Sequence, residues 1–254
     1  MNNHESITFV LTSCGRPELL DRTLKSFFKF NKFKINKYYI VEDSLDKKFH
    51  NSLKKKWGNK IDFIFNTEKK GQIKSIIDTY KLIKTPYVFH CEDDWIYTRS
   101  GFIEESIQIL KKDKKIIQVW LESRKSASRL DIFSYGKKIK HKNTEFSEVT
   151  CKSGWEWGHF SFRPGVKRMS DYYKIGGYGR FKNELDISVE YKKLGYYTVI
   201  IQKPAVIDIG DDHHVSDPTR KWPKRRKKNA PTGLKRLWGP VSYTHLTLPT
   251  TTIV

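Results

Sequence analysis

Three consecutive acids, Glu92, Asp93 and Asp94, follow directly on the apolar run PYVFHC at 86–91. Side by side they repel one another, so a cation is the natural compensation. Carboxylates gathered at the end of a strand suit a hard divalent ion such as Mg²⁺ or Mn²⁺. Such an ion keeps one or two protein carboxylates and completes its shell with phosphate oxygens and water. The same triplet would also serve as a helix N-cap, Asp94 capping the turn that follows, or as a plain acidic surface turn. Further along, His213 and His214 lie among Asp208, Asp211, Asp212 and Asp217. A neutral imidazole there would add to a coordination shell begun by Asp94. Of two adjacent histidines, at most one is expected to take that role.

Other residues suit the recognition of a phosphorylated ligand. Thr12, Ser13 and Arg16 sit in TSCGRP, where backbone N–H groups and a guanidinium favour a phosphate or a base; an exposed Arg16 is the plainer alternative. Asp43 could accept hydrogen bonds from a nucleobase or ribose, or simply open the Asp43-Ser44 turn. Glu184 opens the segment ELDISVEYKKLGY with Asp186 and Glu190 close by. A carboxylate at a helix start is firmly held and can act as a general base, although acids also favour first turns through the helix dipole alone. GGYGRFK (176–182) lacks the third glycine of a dinucleotide loop. No GxxxxGK[ST], HExxH, CxxC or GxSxG occurs.

These groups need elements to position them. The β-branched and aromatic runs 7–12, 38–42, 61–65, 86–91 and 116–121 predict strands. Helical spacing predicts helices from Pro17, over 47–57, from Gly71, and over 102–112. Strands alternating with helices imply an α/β fold, a mainly parallel sheet covered on both faces, with ligands beyond the carboxyl ends of the strands. Three of those ends are polar: Thr12-Ser13, Glu42-Asp43 and Glu92-Asp93-Asp94, and they are expected to converge. In the second half, 123–143 reads as a flexible basic connector. GWEWGHFSF (154–162), a glycine-rich turn at 176–179, a helix over 183–194 and a strand over 196–201 follow, and that strand is expected to extend the sheet.

Composition narrows the class. The chain has 254 residues, a formal charge of +21, and 7 Trp, 13 Tyr and 15 Phe, enough aromatic surface to build a core. Three dispersed cysteines make neither a disulfide framework nor a zinc cluster. No run approaches the roughly 18 apolar residues of a membrane span, and MNNHESITFV has no signal-peptide core. The segment Arg220 to Arg236 holds nine basic residues and no acid. It reads as a solvated tail, or as an anchor to an anionic membrane face that Trp222 and Trp238 would assist. The last fourteen residues, VSYTHLTLPTTTIV, carry no charged side chain and read as a non-native tail. The expected organisation is one domain over 1–217, with halves at 1–121 and 122–217, a basic tail at 218–240 and the foreign tail at 241–254.

Taken in order and spacing, TFVLTSCGRPELLDRTLKSF, IVEDSLD, the helix containing Gly71, YVFHCEDDW and NELDISVEYKKLGYYTVI resemble family 2-type glycosyltransferases with a GT-A fold. The resemblance runs from about Ile7 to Asp217. It implies a Rossmann-like sandwich and a cytoplasmic enzyme, peripheral to the inner membrane face if the tail binds there. The activity implied is inverting, metal-dependent transfer of a sugar from a nucleotide-diphosphate donor to an acceptor hydroxyl. The acceptor would be a glycan, lipid-linked or protein group, in glycan or lipopolysaccharide-type biosynthesis. It implies that Thr12, Arg16 and Asp43 line the nucleotide and that Glu92-Asp93-Asp94 matches the DxD motif, Asp94 nearest the metal and Asp93 near ribose or diphosphate. Thr12, Ser13, Arg16, Asp43, Gly71, Glu92 and Asp93 thus form the expected donor-binding set. Asp94, His213 and His214 form the expected set for Mn²⁺ or Mg²⁺. Glu184 stands where the family has its catalytic base, with Asp186 the alternative because Asn183-Glu184 replaces Glu-Asp. Trp155 and Trp157 suit stacking on an acceptor sugar, or a place in the core. The rival readings are a basic nucleic-acid-binding protein, whose charge would be the functional feature, and a sugar nucleotidyltransferase. The second lacks a glycine-rich loop bearing Lys or Arg to grip a triphosphate.

Overall fold

The computed structural model describes residues 5–127, 133–152 and 160–210. Its first half alternates as the hydrophobic patterning predicts. Strand β1 (Ile7–Ser13) leads to helix α1 (Pro17–Phe30), and β2 (Lys37–Glu42) to α2 (Lys47–Trp57). Then come β3 (Asp62–Phe65), α3 (Gln72–Tyr80) and β4 (Tyr87–Glu92). A short β5 (Trp95–Tyr97), α4 (Phe102–Lys112) and β6 (Ile116–Trp120) complete this half. Local chemistry sets the boundaries. Pro17 supplies a preset φ in the first turn of α1, and Asp46 caps α2 by accepting from the N–H groups of Lys48 and Phe49. Gly71 adopts φ 78° at the start of α3, a left-handed conformation that favours glycine.

The central sheet runs β10-β4-β1-β2-β3, where β10 is Gly165–Arg168. β1 pairs parallel with β2 and with β4, and β2 with β3; only β10 runs antiparallel. Every residue of β1 is buried, and its alternation divides the core. Ile7, Phe9 and Leu11 pack with Leu20, Leu24 and Phe27 of α1, Phe49 and Leu53 of α2, and Phe102, Ile103 and Ile107 of α4. Val10 faces the other way, into Ile76 and Tyr80 of α3 and the helices α6 (Met169–Lys174) and α7 (Glu184–Lys193). Helices thus cover both faces. Each fully buried large apolar side chain contributes about 1.5–3 kcal/mol.

The second half departs from expectation. The strands at 116–120 and 197–201 do not extend the first sheet. β6 and β11 (Tyr197–Ile201) pair parallel in a second sheet, ordered β6-β11-β9-β7, where β9 is Thr144–Cys151 and β7 is Phe133–Tyr135. The reason lies in β10, which takes the free edge of β4 and leaves β6 no ladder there. Gly165 lets the two sheets approach, since a Cβ at that position would stand 3.0 Å from the Val119 carbonyl oxygen. Arg168 locks the junction by donating to the carbonyls of Leu110 (2.7 Å), Lys114 (2.9 Å) and Ile116 while pairing with Asp171. The stretch read as a flexible connector is largely ordered: α5 (Arg124–Ala127), β7, and β8 (Ile139–His141) paired to β9. Residues 128–132 lie outside the described residues. Asp94 caps no helix; Asp93 and Asp94 form the turn between β4 and β5, and β5 pairs with β12 (Val206–Asp208). No helix among the described residues is long and apolar enough to cross a membrane.

Candidate active site

The parallel register brings three polar strand ends together. Ser13 stands opposite Glu42 and Thr12 opposite Glu92, so the ends of β1, β2 and β4 open on one cleft. Thr12, Ser13, Arg16, Asp43, Gln72, Glu92 and Asp93 are among its lining residues. Convergence at the carboxyl edge, expected from the patterning, is what the fold delivers.

Arg16 is not exposed. Its Nε and Nη2 donate to Asp93 and its Nη1 to Asp94 Oδ2 (2.9 Å), with its side chain 9% exposed. Asp93 also accepts from Ser13 Oγ at 2.9 Å. Burial alone would lower the Arg16 pKa, but the charges of Asp93 and Asp94 outweigh it and hold the guanidinium above its ordinary value. Burial pushes the Asp94 carboxyl up to about 7, against the opposing pull of Arg16, with Asp93 and Asp208 adding to the rise. Glu92 is held well above the usual carboxylate range by burial and by the charges of Asp94 and Glu184. Asp93 and Asp94 thus share the Arg16 guanidinium, while Glu92 makes no ion pair with it.

Asp43 is a scaffold for the loop before α3. Instead of opening a turn through Ser44, it accepts from Asn66 Nδ2 (2.6 Å), the Lys70 N–H (2.9 Å) and the Gly71 N–H (2.9 Å). It thereby pins the loop that precedes α3 and places Gly71 at the end of β2. Glu42, its neighbour, accepts from the N–H groups of Gly15 and Ser44, both at 2.8 Å, and so holds the β1–α1 loop. Glu184 begins α7 under the Asn183 cap; it is 7% exposed and its Oε2 accepts from the Phe162 N–H at 3.0 Å. Asp186, two residues on, accepts from the Lys182 N–H (3.2 Å) and lies farther toward solvent.

Two participants were not singled out from the sequence. Gln72 donates to Glu92 Oε1 at 2.7 Å, and its place directly after Gly71, at the opening of a helix aimed at the strand ends, was the available signal. Lys167, only 3% exposed on β10, faces the charges of Glu92 and Glu184; burial lowers its pKa to about 8. Nothing in GVKR distinguishes it from a surface lysine, because β10 itself was not anticipated. Trp155, Trp157, His213 and His214, the basic tail at 218–240 and the final segment at 241–254 lie outside the described residues.

The donor atoms suit a divalent cation. Asp94 Oδ1 and Glu92 Oε2 are buried without a hydrogen-bond partner, and Asp94 has the raised pKa of a carboxylate that would gain from a further positive charge. Among the described residues no three His, Cys, Asp or Glu side chains group to hold an ion. Such an ion would therefore take few protein ligands and depend on oxygens of a bound phosphate, as Mg²⁺ and related ions commonly do.

No family model matches the sequence, and no curated protein matches it. Solved structures do. The mannosyltransferase PcManGT from Pyrobaculum calidifontis, in complex with GDP-Man and Mn²⁺, superposes with TM-score 0.57 at 11% identity. The match covers 78% of this chain and 54% of that one. GalNAc-T7 with UDP, GalNAc and Mn²⁺ superposes with TM-score 0.53 at 14% identity, covering 78% of this chain and 43% of that one. This chain thus spans about half the length of the proteins it matches. At these identities the likeness is one of fold: the chain has the mixed α/β, mainly parallel architecture of GT-A glycosyltransferases.

Proposed function

We propose that this protein is a glycosyltransferase that moves a sugar from a nucleotide-diphosphate donor to an acceptor hydroxyl with inversion. The observation that carries the reading is the meeting of Arg16, Asp43, Glu92 and Asp93 in one cleft at the carboxyl edge of a parallel sheet, with Asp94 held to Arg16 Nη1 at 2.9 Å and Glu184 close enough for its charge to be felt at Glu92. The fold neighbours bound to nucleotides and Mn²⁺ support it.

In this reading Thr12 and Asp43 contact the nucleoside and Arg16 and Ser13 the diphosphate. Asp43 still has lone-pair capacity beyond its three protein partners, since a carboxylate offers about four acceptor positions. Asp94 Oδ1 would hold a divalent cation, Mn²⁺ or Mg²⁺, which when bound supplies charge stabilisation to the departing nucleoside diphosphate. Glu184 takes the proton of the acceptor hydroxyl, held at the start of α7 with its Oε2 accepting from the Phe162 N–H. Asp186, engaged with Lys182 and nearer solvent, is the weaker candidate. Ile209 donates to the Asp94 carbonyl at 2.9 Å, so the chain leads from Asp94 into the segment bearing His213 and His214. His213 and His214 remain the proposed further ligands of that ion. Trp155 and Trp157 remain the proposed acceptor contacts, and a glycan, lipid-linked or protein hydroxyl the proposed acceptor.

Thermal-shift titration with UDP, GDP and their sugars, with and without Mn²⁺, tests the reading, because a ligand bound only by the folded state raises Tm. The expected result is a Tm rise that needs both nucleotide and Mn²⁺, followed by release of nucleoside diphosphate from one donor. A flat response across the whole panel would refute it.

A further inference from the structure

Arg16 does something that a phosphate-binding arginine need not do. Its three guanidinium nitrogens are spent on the very carboxylates that a metal requires: Nε and Nη2 on Asp93, and Nη1 on Asp94 Oδ2. Both acids are buried, Asp93 at 0% and Asp94 at 2% exposure, so the pairs are shielded from water. Fork-shaped guanidinium–carboxylate contacts of this kind are the strong class of charge-assisted hydrogen bond. Asp94 has no room to turn away. Its Oδ2 lies so near the Gly210 backbone that a Cβ there would approach it to 2.4 Å. Only Oδ1 is left without a partner, and no three-ligand cluster among the described residues supports it.

We infer that Arg16 is a built-in counter-ion that closes the cation site until a diphosphate arrives, so that metal and nucleotide enter as a pair. The inference rests on the glycosyltransferase reading and specifies how its donor site is regulated. With Arg16 on Asp93 and Asp94, an incoming divalent ion meets a fixed positive charge, and of the triplet's oxygens only the buried Asp94 Oδ1 and Glu92 Oε2 lack a hydrogen-bond partner. A diphosphate offers the guanidinium an equally good bidentate partner and offers the ion additional oxygens. The side chain leads off the residue just before Pro17 and α1, so its transfer to a phosphate asks for rotamer changes rather than strand movement. By linkage, whatever factor the nucleotide adds to cation affinity, the cation adds to nucleotide affinity.

The test measures free Mn²⁺ by electron paramagnetic resonance, titrating the full chain with Mn²⁺ alone and with UDP or GDP present. Wild type should take up no Mn²⁺ at micromolar concentration until the nucleotide is added. Arg16→Gln should bind Mn²⁺ alone about ten- to hundredfold more tightly than wild type, the range expected for removing one charge-assisted contact at Asp94. Arg16→Lys, which keeps the charge, should stay nearer wild type. The wild-type titration needs no variant: micromolar Mn²⁺ binding without nucleotide overturns the inference and leaves the sugar-transfer reading intact. Equal Mn²⁺ affinity in wild type and folded Arg16→Gln overturns it as well. Absence of any Mn²⁺ uptake, with or without nucleotide, in all three proteins overturns both the inference and the metal-dependent reading beneath it.

Discussion

Asp43→Ala separates a residue that merely meets the ligand from one that builds the cleft. Asp43 is 3% exposed and accepts from Asn66 Nδ2, the Lys70 N–H and the Gly71 N–H at 2.6, 2.9 and 2.9 Å. Hydrogen bonds to an ionised group are worth about 1.5–3 kcal/mol each, and the three share one carboxylate and do not add. Stranding these donors should cost about 3–5 kcal/mol, the usual loss when one partner of a buried charged network is removed. For a domain of this size each kcal/mol moves Tm by about 2–4 °C, so a fall on the order of 10 °C is expected. Asp43→Asn keeps one acceptor oxygen and should lose about half as much. Thermal unfolding monitored by circular dichroism, with nucleotide titrations on the same samples, provides the measurement. If Asp43→Ala unfolds within about 1 °C of wild type, the scaffold argument is wrong. If it does so while losing nucleotide binding, the carboxylate serves the ligand alone.

Glu184→Gln should lower transfer by about 10²–10⁴ while donor binding, followed calorimetrically, stays unchanged; near-normal turnover would return the role of base to Asp186 or to another group. Gly210→Ala places a methyl 2.4 Å from Asp94 Oδ2 and should destabilise by about 1–3 kcal/mol and blunt the Mn²⁺-dependent Tm shift, whereas an unaltered melting curve would deny the close approach. Lys167 carries a pKa lowered to about 8 by burial against an ordinary 10.5, so its protonated form is disfavoured in the folded state. The unfolded chain then binds more protons between those values, and wild type should gain about 3 kcal/mol relative to Lys167→Met as pH rises from 8 toward 10.5. A difference in unfolding free energy that is flat with pH over that range would show that the Lys167 amine is solvated.

Sequence patterning was sufficient where a single strand or helix carries its own signal. The run ITFVLT, β-branched and bounded by turn-forming residues, reads as a strand, and the apolar face of α1 follows from Leu20, Leu24 and Phe27 at helical spacing. A parallel sheet built from such units must bring its polar strand ends to one edge, so the proximity of Arg16, Asp43 and Glu92-Asp93-Asp94 was legible before any coordinates. The acidic triplet announced itself by type, order and position after β4.

Partner choice was not legible, because it depends on which edges and oxygens remain free after the chain has closed on itself. β10 is four residues long and carries no distinctive pattern, yet by taking the edge of β4 it sends β6 and β11 into a separate sheet and buries Lys167 beside the acids. Whether Asp43 faces a base or the backbone of Lys70 and Gly71 is settled by how the loop before α3 returns over β2. Whether the triplet meets solvent, a metal or Arg16 is settled by a separation of 77 residues in the chain collapsing to a hydrogen bond. Local propensities choose strands and helices within a few residues; hydrogen-bond and charge satisfaction are global, and only the folded chain assigns them.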